Sequence, residues 1–378
     1  MIIKNGKLLN DEFRFENSDL VINGDKIEKI GKSDERGEVI DASGMYVVPG
    51  FIDSHMHGAV GVDYWPEEED AYAKISEFQA KNGTTSLFAT LSAAPNDRMV
   101  KAIRFYKENK NNAPGAKYLG LHLEGPFFST AKKGAHLPIN IRDTSIEEFK
   151  TFEEAGGKDI KLITLAPELP NAEETIKHIV DFGTVVTMGH TDATFEQAQK
   201  GVEWGVTRAT HTFNAMSPLN HREPGVSGAA LMNKNVDCEL ICDFFHVHPQ
   251  VCKMVYDLKG ADKIIMITDS EIGTGLPDGK FRENTNNPIV VKDRKTYLLD
   301  GTIAGGTSCL IDGIRNMVSV GVCLEDAVKM ATINPAKSVK MDDEVGSLKE
   351  GKAADIVILD KDLNIKYVFV NGRLVHKA

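Results

Sequence analysis

The chain has 378 residues, with 44 Lys and Arg against 55 Asp and Glu, a formal net charge of −11. That balance repels phosphodiester backbones and sets nucleic acid aside as a partner. At 42% hydrophobic and 26% charged residues, the composition is globular rather than disordered, and no apolar run approaches the roughly 18 residues of a membrane span.

The opening MIIKNGKLLND has no basic stretch followed by an apolar one, so no signal peptide is expected and a cytoplasmic location is. Residues 1–45 alternate apolar and polar around Asn-Gly turns (KNGK, INGD), the pattern of short antiparallel strands. From residue 46 to 269 short apolar runs recur. They are YVVPGFID (46–53), TTSLFAT (84–90), KYLGLHLE (117–124), IKLITLA (160–166), TVVTMGH (184–190), TRATHTF (207–213), DCELICD (237–243) and KIIMITD (263–269). Each has the length of a strand buried on both faces. Helix-like stretches separate most of them, including 70–83, 94–109, 145–157 and 171–183. The third opens with Ser145 and Glu148, a capping-box pattern, and closes on glycine. The acidic run 67–70 reads as a solvated first helical turn.

After Asp269 comes a long insertion, 270–307, containing the strand-like PIVVKDRKTYLLDG; two helix-like stretches follow, 308–321 and 324–333. The tail returns to alternation in ADIVILD and YVFVNGRLV, and VFVNGRLV echoes the opening MIIKNGKLL. Length alone suggests two or three domains, but eight strands alternating with helices favour one closed parallel barrel. The fold expected is α/β: a TIM-type (β/α)8 barrel with a small β-sandwich-like domain formed by both termini. The expected boundaries are 1–48 and 338–378 for the β-domain and 49–337 for the barrel. Five cysteines (238, 242, 252, 309 and 323) without a Cys-x-x-Cys pair read as small buried hydrophobes in a reducing compartment.

Ionisable residues collect at the C-terminal ends of these strands. His55 and His57 follow the first, Glu124 ends the third, His190 the fifth and Asp269 the eighth, and His211 lies near the end of the sixth. In such a barrel that rim assembles the chemistry, and imidazole with carboxylate is a ligand set for zinc and related divalent ions. Taken singly, each has a structural explanation; six metal-capable side chains on one rim point to a metal site. A divalent cation lowers the pKa of water bound to it and polarises a carbonyl oxygen. Asp269 beside such water is placed to take its proton and pass it to a leaving amine. Alternatively, Asp269 is one more ligand or a helix cap.

PGFIDSHMHG (49–58) resembles the opening signature of the amidohydrolase superfamily. HLEGPF (122–127), KGAH (133–136), LAPE (165–168), GHTDA (189–193), THTFNAM (210–216), REPG (222–225) and ITD (267–269) are similar to the motif series of the N-acetylglucosamine-6-phosphate deacetylase family. G-x-L-x-x-G-K-x-A-D (346–355) is shared more broadly. This resemblance implies that Glu124, His190 and His211 hold the main catalytic metal and that His55 and His57 help to hold a second. One or two divalent ions are implied: zinc first, with iron, manganese or cobalt as alternatives. It implies that Asp269 is the acid/base and that His136 polarises the acetamide carbonyl. Ala135, Asn214, Ala215 and His246 would contact the sugar phosphate, and Arg222 would reach the phosphate of a neighbouring subunit, making a homodimer the expected assembly. Lys133, His221 and His248 are left with structural or solvated roles.

Two positions depart from the family pattern. Where the family commonly has Asp-Gly-x-His, this chain has Asp243-Phe244-Phe245-His246, and Phe244 is expected to shift His246 and narrow the sugar pocket. Small residues usually follow the acid/base, but Ser270-Glu271-Ile272 stands here, and Glu271 opposes an anionic substrate unless it points away. No lysine follows the fourth strand, so Glu124 would serve as the shared carboxylate if two ions bind. The expected reaction is hydrolysis of N-acetylglucosamine 6-phosphate to glucosamine 6-phosphate and acetate. The alternatives are the galacto substrate and a catalytically silent binding or scaffold protein.

Overall fold

A computed structural model describes residues 1–33, 37–66, 70–281 and 288–378. Eight strands form one sheet in sequential order: β1 (Phe51–Met56), β2 (Thr84–Ser92), β3 (Lys117–Glu124), β4 (Ile160–Leu165), β5 (Val185–Met188), β6 (Arg208–Ala209), β7 (Asp237–Ile241) and β8 (Ile264–Ile267). Every adjacent pair is parallel. The ring closes at its C-terminal edge, where the Asp269 N–H donates to the His55 carbonyl at 2.9 Å and Met56 bridges Ser270. This is the expected (β/α)8 architecture.

Helices cover the outside with apolar faces at helical spacing. Asn96–Asn109 buries Met99, Ala102, Ile103 and Tyr106, positions that share one side of a 3.6-residue repeat. Ile146–Gly156 starts at Ser145, whose hydroxyl accepts from the Glu148 N–H, satisfying one of the orphan donors of the first turn. The Glu148 side chain does not complete a capping box; it binds Arg142 instead. Ala172–Phe182 ends on Gly183 at φ +97°, a conformation that favours glycine. The stretch 324–333 is two helices, Leu324–Met330 and Ile333–Ser338. Of the acidic run, residues 67–69 lie outside the described residues, and Asp70 precedes the helix Ala71–Lys81.

The run 46–53, expected as one strand, divides at Gly50. Tyr46–Pro49 pairs in the terminal sheet and Phe51–Met56 starts the barrel. A side chain at Gly50 would lie 2.1 Å from Thr85 Oγ1, so glycine lets the chain pass against β2 as it changes sheet. The terminal sheet joins both ends of the chain in the order Arg373–Lys377, Ile365–Val370, Ile356–Leu359, Tyr46–Pro49, Ile2–Leu9, Phe15–Asn23, Lys26–Ile30, with Val39–Asp41 also on Ile2–Leu9. It encloses its own core, including Leu8, Leu20, Ile27, Val47, Ile356 and Phe369.

The insertion forms a small antiparallel sheet of Gly279–Phe281, Ile289–Lys292 and Lys295–Leu298. Its hairpin turns at Asp293 and Arg294, both at positive φ, as a two-residue I′ turn requires. Tyr297 packs edge-on to Phe245 at 5.7 Å between ring centroids, which holds the insertion against the loop after β7. All five cysteines are free; Cys238, Cys242, Cys252 and Cys309 are buried, but Cys323 is exposed, contrary to expectation. Among the described residues no helix is long and apolar enough to cross a membrane.

Candidate active site

The C-terminal rim of the barrel opens into a cavity of about 800 Å3. His57, Glu124, Ala135, His136, His190, His211, Asn214, Ala215, His246 and Asp269 line it, and His55 lies buried beneath. Two sets of side chains each converge to within metal-ligating distance: Glu124, His190 and His211, and His55, His57 and Asp269.

Glu124 stands between the two sets. Its Oε1 is 3.2 Å from both His190 Nε2 and His211 Nε2 and 3.3 Å from His55 Nε2. Its Oε2 is 3.3 Å from His57 Nε2 and 3.1 Å from His136 Nε2. Asp269 Oδ1 lies 3.4 Å from His55 Nε2 and 3.3 Å from His57 Nε2. His190 and His211 bring their Nε2 atoms to 3.1 Å of each other. The backbone is strained here: His190, His211 and Asp269 have φ of +48°, +28° and +50°, a region that non-glycine residues occupy mainly where surrounding structure imposes it. Gly134 of KGAH sits at φ +56°, which favours glycine, and a side chain there would stand 3.0 Å from His190 Cε1.

The far sides of the rings decide their tautomers. His55 Nδ1 faces the Glu239 carboxylate at 3.0 Å and His190 Nδ1 faces the Lys132 carbonyl at 2.9 Å. Both partners are acceptors only, so Nδ1 carries a hydrogen, and in the neutral ring Nε2 presents its lone pair to the carboxylates. His57 Nδ1 faces the Ser92 hydroxyl at 3.0 Å. Lone pairs converging on carboxylate oxygens repel unless a cation lies between them or the rings are protonated. Burial disfavours the charged ring of His55, yet Asp269, Glu239 and Glu124 raise its pKa to about 10. Burial likewise opposes charge on His57, and Glu124 and Asp269 overcome it. Burial holds His190 down at about 4. Burial would raise the Asp269 pKa, but His55 and His57 hold it well below the ordinary carboxylate range. The rim is thus short of positive charge, and its residues fit a divalent metal centre.

His136 rests edge-on to His190 at 4.6 Å and against Phe128 at 5.0 Å. His246 is fixed by Asp243, 2.7 Å from Nδ1 to Oδ2. Phe244 does not line the cavity; it packs on the barrel core at φ +62°, and His246 still lines the cavity. Position 244 is left-handed in this chain, a conformation that favours glycine and that an aromatic residue occupies here at the expense of backbone strain. Glu271 does line the cavity, contrary to the outward orientation an anionic substrate favours. Arg222 is exposed and outside the cavity lining. His248 caps the helix Pro249–Lys259, its ring accepting from the Gln250 N–H, and His221 is exposed.

Sequence reasoning missed three groups beneath the rim. Glu239 and Arg208 form a fully buried pair, Oε1 to Nε 2.8 Å. Asp53, below His55, accepts from Thr268, and burial raises its pKa to about 6. His122 bonds Thr164 at 2.8 Å and heads a threonine chain, Thr164–Thr210–Thr187. The available signal was charge inside apolar runs, as in DCELICD. At the mouth, Arg98 stacks on Trp65 at 4.5 Å, and it is the one Arg or Lys among the described lining residues.

The amidohydrolase family matches residues 46–375. The N-acetylglucosamine-6-phosphate deacetylase of Lysinibacillus sphaericus is 36% identical, covering 99% of this chain and 97% of its own. The N-acetylgalactosamine-6-phosphate deacetylase of Escherichia coli O157:H7 is 33% identical over 86% of each. A solved structure of a variant Mycobacterium smegmatis N-acetyl-D-glucosamine-6-phosphate deacetylase, in complex with N-acetyl-D-glucosamine-6-phosphate, superposes with a TM-score of 0.93 at 30% identity over 99% of both chains. With the motif series, the barrel and the rim in agreement, the chain belongs to the N-acetylglucosamine-6-phosphate deacetylase family of the amidohydrolases.

Proposed function

We propose that the protein hydrolyses N-acetylglucosamine 6-phosphate to glucosamine 6-phosphate and acetate. The observation that carries this reading is the convergence of four imidazoles and two carboxylates at the rim, with the Nδ1 atoms of His55 and His190 turned to acceptors so that their Nε2 atoms face the carboxylates. Glu124, His190 and His211 would hold one divalent ion, and His55, His57 and Asp269 a second. Two imidazoles and a carboxylate suit zinc. When bound, the metal supplies Lewis acidity toward the acetamide carbonyl and toward water.

The chain's own residues do the rest. Asp269 is ionised, and so takes a proton from the attacking water and later gives it to the amine nitrogen as the C–N bond breaks. His136 donates to the carbonyl oxygen, where negative charge develops. Ala135, Asn214, Ala215 and His246 line the sugar side of the cavity. Arg98 is the one Arg or Lys among the described residues lining the cavity, which supports a homodimer in which Arg222 of a second copy completes the site. Ile139, 89% exposed beside that cavity, and Leu219, 48% exposed near Arg222, are apolar surface suited to burial between subunits. The five free cysteines suit a cytoplasmic location.

The named relatives include both gluco and galacto enzymes, so the test compares acetate release from N-acetylglucosamine 6-phosphate, N-acetylgalactosamine 6-phosphate and unphosphorylated N-acetylglucosamine. The highest kcat/KM is expected for the first. A preference for the second reassigns the sugar, and no acetate from any of the three removes the enzymatic reading.

A further inference from the structure

The proposed chemistry leaves unexplained a carboxylate buried below the rim. Glu239, on β7, is fully buried. Its Oε1 lies 2.8 Å from Arg208 Nε. Its Oε2 lies 3.0 Å from His55 Nδ1 and accepts the His211 backbone N–H at 3.1 Å. Arg208, on β6, is itself fully buried, with its other nitrogens bonded to Ser338 Oγ at 3.0 Å and to Ser54 Oγ. Burying such a pair is costly and often gives no net stability over an apolar pair of the same size. Its geometry indicates a different use, because the carboxylate touches one residue from each of the two converging sets.

The contact with His55 has a chemical consequence. A carboxylate only accepts, so in the neutral ring that a cation requires the hydrogen must sit on Nδ1, and Nε2 is the nitrogen left to face a cation beside Asp269 and Glu124. Without that acceptor the opposite tautomer is favoured, because Nε2–H would donate to those same two carboxylates. A hydrogen on Nε2 closes the position to a cation. The second contact holds the His211 N–H where φ is +28°, so the same carboxylate also fixes the backbone of a residue in the other set.

We propose that Glu239, charged and held by Arg208, is a positioning residue that fixes the His55 tautomer and thereby creates the second cation position, formed by His55, His57 and Asp269. This rests on the reading of the rim as a metal centre. Partners of this kind change metal affinity by about 10- to 100-fold when removed.

The test uses paired substitutions, so that no unpartnered charge remains in the barrel. Arg208→Met/Glu239→Leu removes the acceptor, whereas Arg208→Met/Glu239→Gln keeps one acceptor oxygen for His55. Purified proteins are titrated with Co(II), following the visible ligand-field bands and heat. Phe149→Leu, in a buried helix face away from the rim, controls for loss of stability alone. The wild type and the Phe149→Leu control are expected to bind two ions. The leucine variant should bind one with unchanged affinity and the second about 10- to 100-fold more weakly, and the glutamine variant should recover most of that loss. Equal second-ion affinity in both paired variants, whether both intact or both weakened, overturns the tautomer role. A wild type that binds a single ion overturns the second position. No binding by the wild type removes the metal reading itself.

Discussion

Arg208→Met tests the electrostatics of the barrel interior. The methionine fills much of the same volume, so the main change is loss of the guanidinium opposite Glu239. Removing one partner of a buried pair costs about 3–5 kcal/mol, because the remaining charge is left uncompensated. The electrostatics of Glu239 point the same way. Burial would raise the Glu239 carboxyl, but Arg208 and His55 together hold it at about 2 against an ordinary 4.5, so the folded protein favours the charged carboxylate and is stabilised by it. Because the folded value is the lower one, that stability is complete above pH 4.5 and is lost as pH falls toward 2. Urea denaturation of the metal-replete protein at neutral pH should therefore show Arg208→Met losing about 3–5 kcal/mol. The paired Arg208→Met/Glu239→Leu variant should be less destabilised than Arg208→Met alone. A cost below about 1 kcal/mol, the range of exposed ion pairs, would refute the view that Arg208 neutralises a buried charge.

Asp269→Asn should lower kcat by about 100- to 10,000-fold, measured as acetate release, while elemental analysis still finds the ion held by Glu124, His190 and His211. Near-normal turnover would show that Asp269 is not the acid/base. Lys259 donates to the carbonyls of Ala230, Asn233 and Val236 at 2.9, 2.7 and 2.8 Å, around the end of the helix Gly225–Met232. Lys259→Met should cost about 2–3 kcal/mol in denaturation and leave kcat unchanged; equal stability would mean that water replaces the ammonium without loss. Arg222→Ala should raise KM for the phosphorylated sugar by 10-fold or more, about 1.4 kcal/mol, with little effect on the unphosphorylated one. Equal effects on both sugars would separate Arg222 from the phosphate.

The parts of the fold legible in the sequence were those that burial on both faces writes as short apolar runs, and all eight barrel strands were of this kind. The ends of the strands were not legible. The run 207–213 keeps only Arg208–Ala209 as strand, and the rest of it, with Asn214 just after, becomes the turns that carry His211. His190, His211 and Asp269 lie just beyond regular strand, at positive φ, where functional geometry overrides propensity. The rim residues themselves could be read because histidines and carboxylates at strand ends are unusual as packing. Glu239 and Arg208 lie within apolar runs on neighbouring strands, and their pairing is visible only once β6 and β7 are side by side. Phe244 was misread because a bulky residue for glycine suggests a filled pocket; the glycine position concerns backbone conformation, and the ring packs elsewhere.

The proposed reaction depends on metal held at the rim. Its most direct test measures acetate release from N-acetylglucosamine 6-phosphate by protein stripped with a chelator, then titrated with zinc and followed by elemental analysis. The stripped protein is expected to be inactive, with activity returning in proportion to bound metal. Full turnover by a chain shown to carry no metal would contradict it.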